Sequence, residues 1–250
     1  MTTLDMKLRS KDLFDSLGQE QEEQDREVEL QESLGLKRLI EGHISYMTYL
    51  VEVSAREGLV PKIRRNSPDD FIPKDYSAAD LTALSLKLPR LAKLGHQDTA
   101  SYLNRAINLC PENEITIITN GWEQVDCYIG SELQNKSVSV VGDVYGIGDG
   151  MKSGTLHVRG NVPVSMGEVN SGIGWGMKGG EIYIEGDVMT FRVGESMRGG
   201  SIHIMGDAPN SDFMGENMVR GRIYHRGKLI KINGRDARWY DRLLHMEKVK

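Results

Sequence analysis

Cysteine is almost missing from this 250-residue sequence: only Cys110 and Cys127 occur, with no Cys-x-x-Cys pair and no Cys/His cluster. A structural zinc or a chain-encoded iron–sulfur site is therefore not expected, and reduced thiols in a cytoplasmic protein are. No run approaches the ~18 apolar residues needed to span a bilayer. Met1-Thr2-Thr3-Leu4-Asp5 shows no basic region leading into an apolar stretch, so no secretory signal is expected. A basic excess is lacking as well. With 31 Lys and Arg against 36 Asp and Glu, the net charge is -5, which argues against a general grip on nucleic acid. There is no Gly-x-Ser-x-Gly elbow and no phosphate-binding Gly-x-x-x-x-Gly-Lys-(Ser/Thr). Gly172-Ile173-Gly174-Trp175-Gly176 imitates a dinucleotide fingerprint but is not set at a strand-to-helix junction.

Aromatics are few (6%), whereas Gly (28) and Met (12) are abundant, and that pairing needs a specific cause. It is not in the first half. Residues 1–34 crowd acids at Glu20, Glu22, Glu23, Asp25, Glu27, Glu29 and Glu32, the pattern of an acidic arm, a frayed helix or a disordered segment. A small helical domain is expected over 35–112. Its first helix carries the stripe Leu36, Leu39, Ile40, Ile44, Met47, Leu50 and Val51, stopped by Gly58, Leu59 and Pro61. The stretch from Lys62 to Asp75, with Pro68 and Pro73, reads as a linker. Ser77 and Asp80 then open a second helix with the face Leu81, Leu84, Leu88, Leu91 and Leu94, and a third runs from Asp98 to Leu109.

After Asn113 the beat changes. Gly174 to Asp187 recurs as Gly194 to Asp207, earlier as Gly148 to Asn161, and later as Gly215 to Lys228. A degenerate copy, Gly130 to Asp143, has Leu133 in the methionine slot and Lys136 in a glycine slot, and Ile115 to Gly121 reads as half of a first coil. The closing glycines Gly121, Gly142, Gly160, Gly186, Gly206 and Gly227 lie 21, 18, 26, 20 and 21 residues apart, the 26 marking an insertion near Val164 to Ser171. The repeat glycines are Gly130, Gly148, Gly154, Gly160, Gly174, Gly180, Gly186, Gly194, Gly200, Gly206, Gly215, Gly221 and Gly227. Short alternating strands such as Glu181 to Glu185 put Ile182 and Ile184 inward and Tyr183 outward. One coil cannot bury its apolar side, but coils stacked ~4.8 Å apart align Leu133, Met151, Met177, Met197 and Met218 in one interior column. The expected fold is mainly β, a right-handed parallel β-helix of five to six coils over 113–232, with an α-helical N-terminal region and a cap or docking segment at 233–250.

Stacking also aligns candidate chemistry. One outward column holds Ser139, His157, Tyr183, His203 and Tyr224, with the two histidines ~9–10 Å apart, too far for one metal ion. Asp143, Asn161, Asp187 and Asp207 follow the closing glycines as turn residues. Lys152, Lys178 and Arg198 form a basic strip, compensated either by Asp149, Glu195 and Glu216 or by an acidic partner or an anionic cofactor tail. His225 takes an inward slot of the last coil, where a cap is needed. No catalytic residue and no metal site is assigned.

Gly-x-x-Met-(Lys/Arg)-x-Gly-x-(Ile/Leu)-x-(Val/Ile)-x-Gly, stacked from about Gly130 to Ile230, resembles the GXGXG repeat family. That family includes the β-helical subunit of formylmethanofuran dehydrogenase and the C-terminal domain of the glutamate synthase large subunit. The resemblance implies a non-catalytic structural subunit of an oxidoreductase or amidotransferase complex. It binds no cofactor itself and joins protein subunits that carry flavin, iron–sulfur or molybdenum/tungsten. The alternatives are a self-standing hydrolase or lyase using the surface ladders, and a self-associating scaffold. Neither a nucleic acid nor a membrane is expected as a partner.

Overall fold

The computed structural model describes residues 33–57, 68–91, 99–122, 128–164, 172–190, 192–209, 212 and 214–236, with backbone alone for 51–57. Most of the acidic arm, the Gly58 and Pro61 stop, Leu94, Cys127, most of the insertion (165–171) and residues 237–250 lie outside them.

Three helices precede the strands: α1 (Leu34–Glu57), α2 (Ala78–Leu91) and α3 (Thr99–Leu109). In α1 the stripe is Leu36, Leu39, His43, Tyr46, Met47 and Leu50, all buried. Ile44, expected inside, is 41% exposed, because a 3.6-residue period centred on Leu39 and His43 carries it round to the edge of the face. The start of α2 is a reciprocal cap. Ser77 Oγ accepts the Asp80 N–H at 3.2 Å while Asp80 Oδ2 accepts the Ser77 N–H at 2.8 Å. Burial pushes the Asp80 carboxyl up, but the hydroxyl of Ser33, followed by these Ser77 bonds, outweighs it and holds the carboxyl below its ordinary value. The expected linker is partly built in: Pro68–Phe71 is a 3₁₀ turn, and Asp69 clasps Arg105 of α3 through Nε and Nη2.

The strands are β1 (Glu114–Ile118), β2 (Tyr128–Ile129), β3 (Lys136–Val141), β4 (Gly146–Ile147), β5 (Gly154–Arg159), β6 (Glu181–Ile184), β7 (Arg198–Ile204), β8 (Arg220–His225), β9 (Lys228–Ile232) and β10 (Arg235–Asp236). They form a parallel solenoid of about five turns. Its main sheet runs β1-β3-β5-β6-β7-β8, all parallel, and is continued by β9 and β10 antiparallel. A second face follows Ile129, Ile147, Ile173 and Val193, and a third is marked by the Val162–Val188 bridge.

Inside, Leu133, Met151, Met177 and Met197 are fully buried and Met218 nearly so. The corner before each is a four-residue turn: the Leu133, Met151, Met177, Met197 and Met218 N–H groups donate to the carbonyls of Gly130, Gly148, Gly174, Gly194 and Gly215. The glycines of the next ladder serve two demands at once. Gly180 has φ +89°, and a Cβ there would sit 2.7 Å from the Gly154 carbonyl oxygen of the coil before. Lys136 shares this slot, paired with Gly154, and escapes both demands: its φ is not in the left-handed region, and no coil of the same kind precedes it. Its ammonium instead donates to the carbonyls of Cys110 (2.6 Å) and Glu112 (2.9 Å). Gly227, read from the sequence as a closing glycine like Gly206, is not one. Arg226 (φ 50°) and Gly227 (φ 73°) make the two-residue turn between β8 and β9, since the chain reverses here and starts no new coil.

Helices and coils share one continuous core, from Leu39, Leu84 and Tyr102 through Ile117 to Ile223. The free edge of β1 is covered by α2. Thr82 donates to the Thr116 carbonyl at 2.7 Å, and Ser85 Oγ accepts the Ile118 N–H at 3.0 Å. On the second face Asn104 of α3 plays the missing coil: its amide donates to the Tyr128 carbonyl, and its oxygen accepts the Gly130 N–H at 2.7 Å.

Candidate functional site

Three ladders of potentially reactive side chains run up the solenoid, and the geometry separates them. The ring column is in register through Ser139, His157, Tyr183, His203 and Tyr224. Tyr183 stacks on His203 and His203 on Tyr224, each at 4.5 Å between centroids, with interplanar angles of 15° and 3°. His157 meets Tyr183 tilted at 66° and pairs its Nε2 with Glu185 at 2.8 Å. Partial burial lowers the His203 pKa. The rings therefore use their faces on one another, which stiffens the sheet and leaves no two imidazoles converging on a point. Among the described residues no group of three or more metal-ligating side chains assembles.

The Asp/Asn row is bonded along its length. Asp143 Oδ1 accepts the Asn161 N–H at 2.7 Å, Asn161 Oδ1 the Asp187 N–H at 2.9 Å, and Asp187 Oδ1 the Asp207 N–H at 2.7 Å. Each side chain closes the corner of the next coil. The sequence marks these residues for bonds to nearby backbone N–H groups at a turn; the bonds they make reach instead to the same corner of the next coil. Asp207 ends the row by pairing with Arg226. His225 sits opposite Ile204, with its Nε2 3.0 Å from the Gly206 carbonyl, an end-of-stack contact.

The basic strip remains exposed. Lys152, Lys178 and Arg198 occupy one column: their N–H groups donate in turn to the carbonyls of Leu133, Met151 and Met177. Lys152 pairs with Glu132 at 3.4 Å. The expected compensation by Asp149, Glu195 and Glu216 fails. Glu195 pairs with Arg192 at 3.5 Å, and Asp149 has turned into a cavity at the helical end. Neither Lys178 nor Arg198 enters an ion pair among the described residues, and Arg220, opposite Arg198, lengthens the cationic stretch. Val219, beside them, is 63% exposed. Sequence reasoning missed Arg220 because a register shift between β7 and β8 brings it into the column.

Fold and site together define a helix-capped parallel β-solenoid with a cationic outer strip. Set against protein-family models, curated proteins and solved structures, the chain matches none of them. Among the described residues no helix is long and apolar enough to cross a membrane.

Proposed function

We propose that this chain is a non-catalytic structural and interaction subunit of a cytoplasmic multi-subunit oxidoreductase or amidotransferase complex, of the formylmethanofuran dehydrogenase and glutamate synthase type. One observation carries the reading. The rings and the carboxyl row are committed to holding coils together, whereas Lys178 and Arg198 stand exposed beside Val219 with no ion pair among the described residues. Like charges stacked one coil apart repel, and an acidic partner surface relieves that repulsion. The partner subunits would carry the flavin, iron–sulfur or molybdenum/tungsten centres. The coils are taken as right-handed, the sense that parallel crossovers adopt in nearly all cases.

The test is native purification through a tag on the chromosomal copy, with subunits identified by mass spectrometry. Stoichiometric subunits bearing such centres, lost on the double substitution Lys178→Glu and Arg198→Glu, are expected. A lone, stable, active monomer overturns the reading.

A further inference from the structure

The negative charge of this chain is concentrated in one short segment. Residues 19–32 carry seven acids and a single cation, Arg26, a net charge of -6 in a chain whose total is -5. All the other residues together therefore sum to +1. On the solenoid the opposite imbalance is local. Lys178, Arg198 and Arg220 are exposed on successive coils ~4.8 Å apart, and none of them enters an ion pair among the described residues. Of the acids on their own coils, Glu195 is taken by Arg192 at 3.5 Å, and Glu216 pairs with none of the three.

The acidic segment is tethered within reach of that strip. Ser33, the residue after it, is fixed at the helical end: its hydroxyl donates to Asp80 and accepts the Leu36 N–H at 2.9 Å. The strip starts toward the same end, at Lys152, whose partner Glu132 shares a cleft with Ser101 and Arg105 of α3. From Lys152 to Arg220 is three coil steps, ~14 Å, whereas the acidic segment spans up to about 46 Å when extended. From Glu20 to Glu32 consecutive acids are never more than three residues apart. In any backbone conformation a carboxylate then recurs at least every ~10 Å. A tethered segment also meets its own strip at an effective concentration on the order of millimolar, which a free acidic partner rarely matches.

We infer that the acidic segment 19–32 docks on the Lys178, Arg198 and Arg220 strip of its own chain, and so occupies in the isolated protein the surface that an acidic partner would take. The docking itself needs no partner; only what displaces the segment rests on the function proposed above. Each exposed ion pair is weak alone, so the contact depends on several pairs at once and is released by salt. A partner binds by displacing the segment, which screens out surfaces with only one or two carboxylates.

The experiment is zero-length carbodiimide coupling of the full chain at low salt, without any partner, with the coupled peptides identified by mass spectrometry. The Lys152–Glu132 pair, 3.4 Å apart, is the internal positive control. Lys178 is expected to couple to an acid of residues 19–32. In the double variant Arg198→Glu and Arg220→Glu, which keeps the reactive lysine, that yield should fall at least about fivefold. The unchanged protein in ~0.5 M salt should show a similar fall, and it decides the matter if circular dichroism finds the variant unfolded. Mixing isotopically labelled with unlabelled chains separates coupling within a chain from coupling between chains. Three results each overturn the inference: no coupling of Lys178 to the segment while the control couples, coupling mainly between chains, or a yield unchanged by salt or by the folded variant. Failure of the partner reading shows separately, as a lone monomer on native purification, and leaves the coupling result standing.

Discussion

At its first coil the solenoid presents β1 and β2 to helices, and at its last it presents β8 to an antiparallel strand. The first end is closed by individual side chains: Thr82 and Ser85 on β1, Asn104 on the second face, and Lys136 reaching back to the carbonyls of Cys110 and Glu112. The last end is closed by backbone, since β9 and β10 extend the ladder and turn it round. A backbone cap depends little on which residues supply it. A side-chain cap depends on one atom in one place, so the helical end should be the vulnerable one.

The largest effect is expected between the ends, where neither kind of cap operates. Gly180→Ala places a Cβ 2.7 Å from the Gly154 carbonyl oxygen at φ +89°. A loss of more than about 4 kcal/mol, seen as failure to accumulate folded protein, is expected. The equivalent slot of the first coil already accepts a lysine. Lys136→Met should cost only about 2 kcal/mol, the value of charged hydrogen bonds to carbonyls, read by denaturant unfolding. Equal losses at both positions would mean that contact with the preceding coil is not what selects glycine.

Next comes the cap itself. Asn104→Ala strips partners from the Tyr128 carbonyl and the buried Gly130 N–H, so about 2–3 kcal/mol should be lost. Asn233 at the last end makes a comparable bond, its oxygen accepting the Gly221 N–H at 3.1 Å, but it is exposed. Water can replace it, and Asn233→Ala should change stability by less than about 1 kcal/mol. Unfolding of the two variants under one condition tests whether the ends differ as claimed.

These contrasts also mark what could be read from the residues alone. The column Leu133, Met151, Met177, Met197 and Met218, the inward Ile182 and Ile184, and the outward ring column all follow from period and spacing, and the structure bears them out. Repetition made this possible, because each copy checks the others. The helical end has no copies. Nothing in the spacing of Asn104 or Ser85 announces that they bond strands 24 or more residues away, and His43 lay hidden because it sits in an apolar stripe. Gly227 was misread for the opposite reason: the repeat motif runs through it, while the parallel stack ends at β8, immediately before it. The unpaired state of Asp149 was invisible, since sequence placed it beside the basic strip and packing placed it under α3.

The helical end should also carry an acid-sensitive balance. His43 is buried edge-on to Tyr102 with neither ring nitrogen hydrogen-bonded, and burial lowers its pKa to about 4. Between about 4 and 6.5 the unfolded chain holds a proton on this residue that the folded chain lacks, so its contribution to stability rises with pH. Asp149, raised to about 6, does the reverse: between about 4 and 6 the folded chain keeps a proton that the unfolded chain has lost, and stability falls as pH rises. Each amounts to roughly 2–3 kcal/mol over its window, and the two oppose each other in the native protein. His43→Phe should therefore give stability that falls from pH 4 to 6, and Asp149→Asn stability that rises. Unfolding at several pH values decides it, and parallel profiles in the two variants would remove this balance from the helical end.

The smallest effect tests the backbone cap. Gly227→Ala shares a positive φ (73°) with Gly180, but nothing lies within 4 Å of the added Cβ. The strain of a left-handed alanine is then the only cost, about 1 kcal/mol. The neighbouring Arg226 already stands at φ 50° without glycine, so this turn tolerates side chains where the interior corners do not. If Gly227→Ala proved as damaging as Gly180→Ala, the β8–β9 reversal would have to be as tightly packed as a stacked coil. The last end would then lose its claim to be the forgiving one.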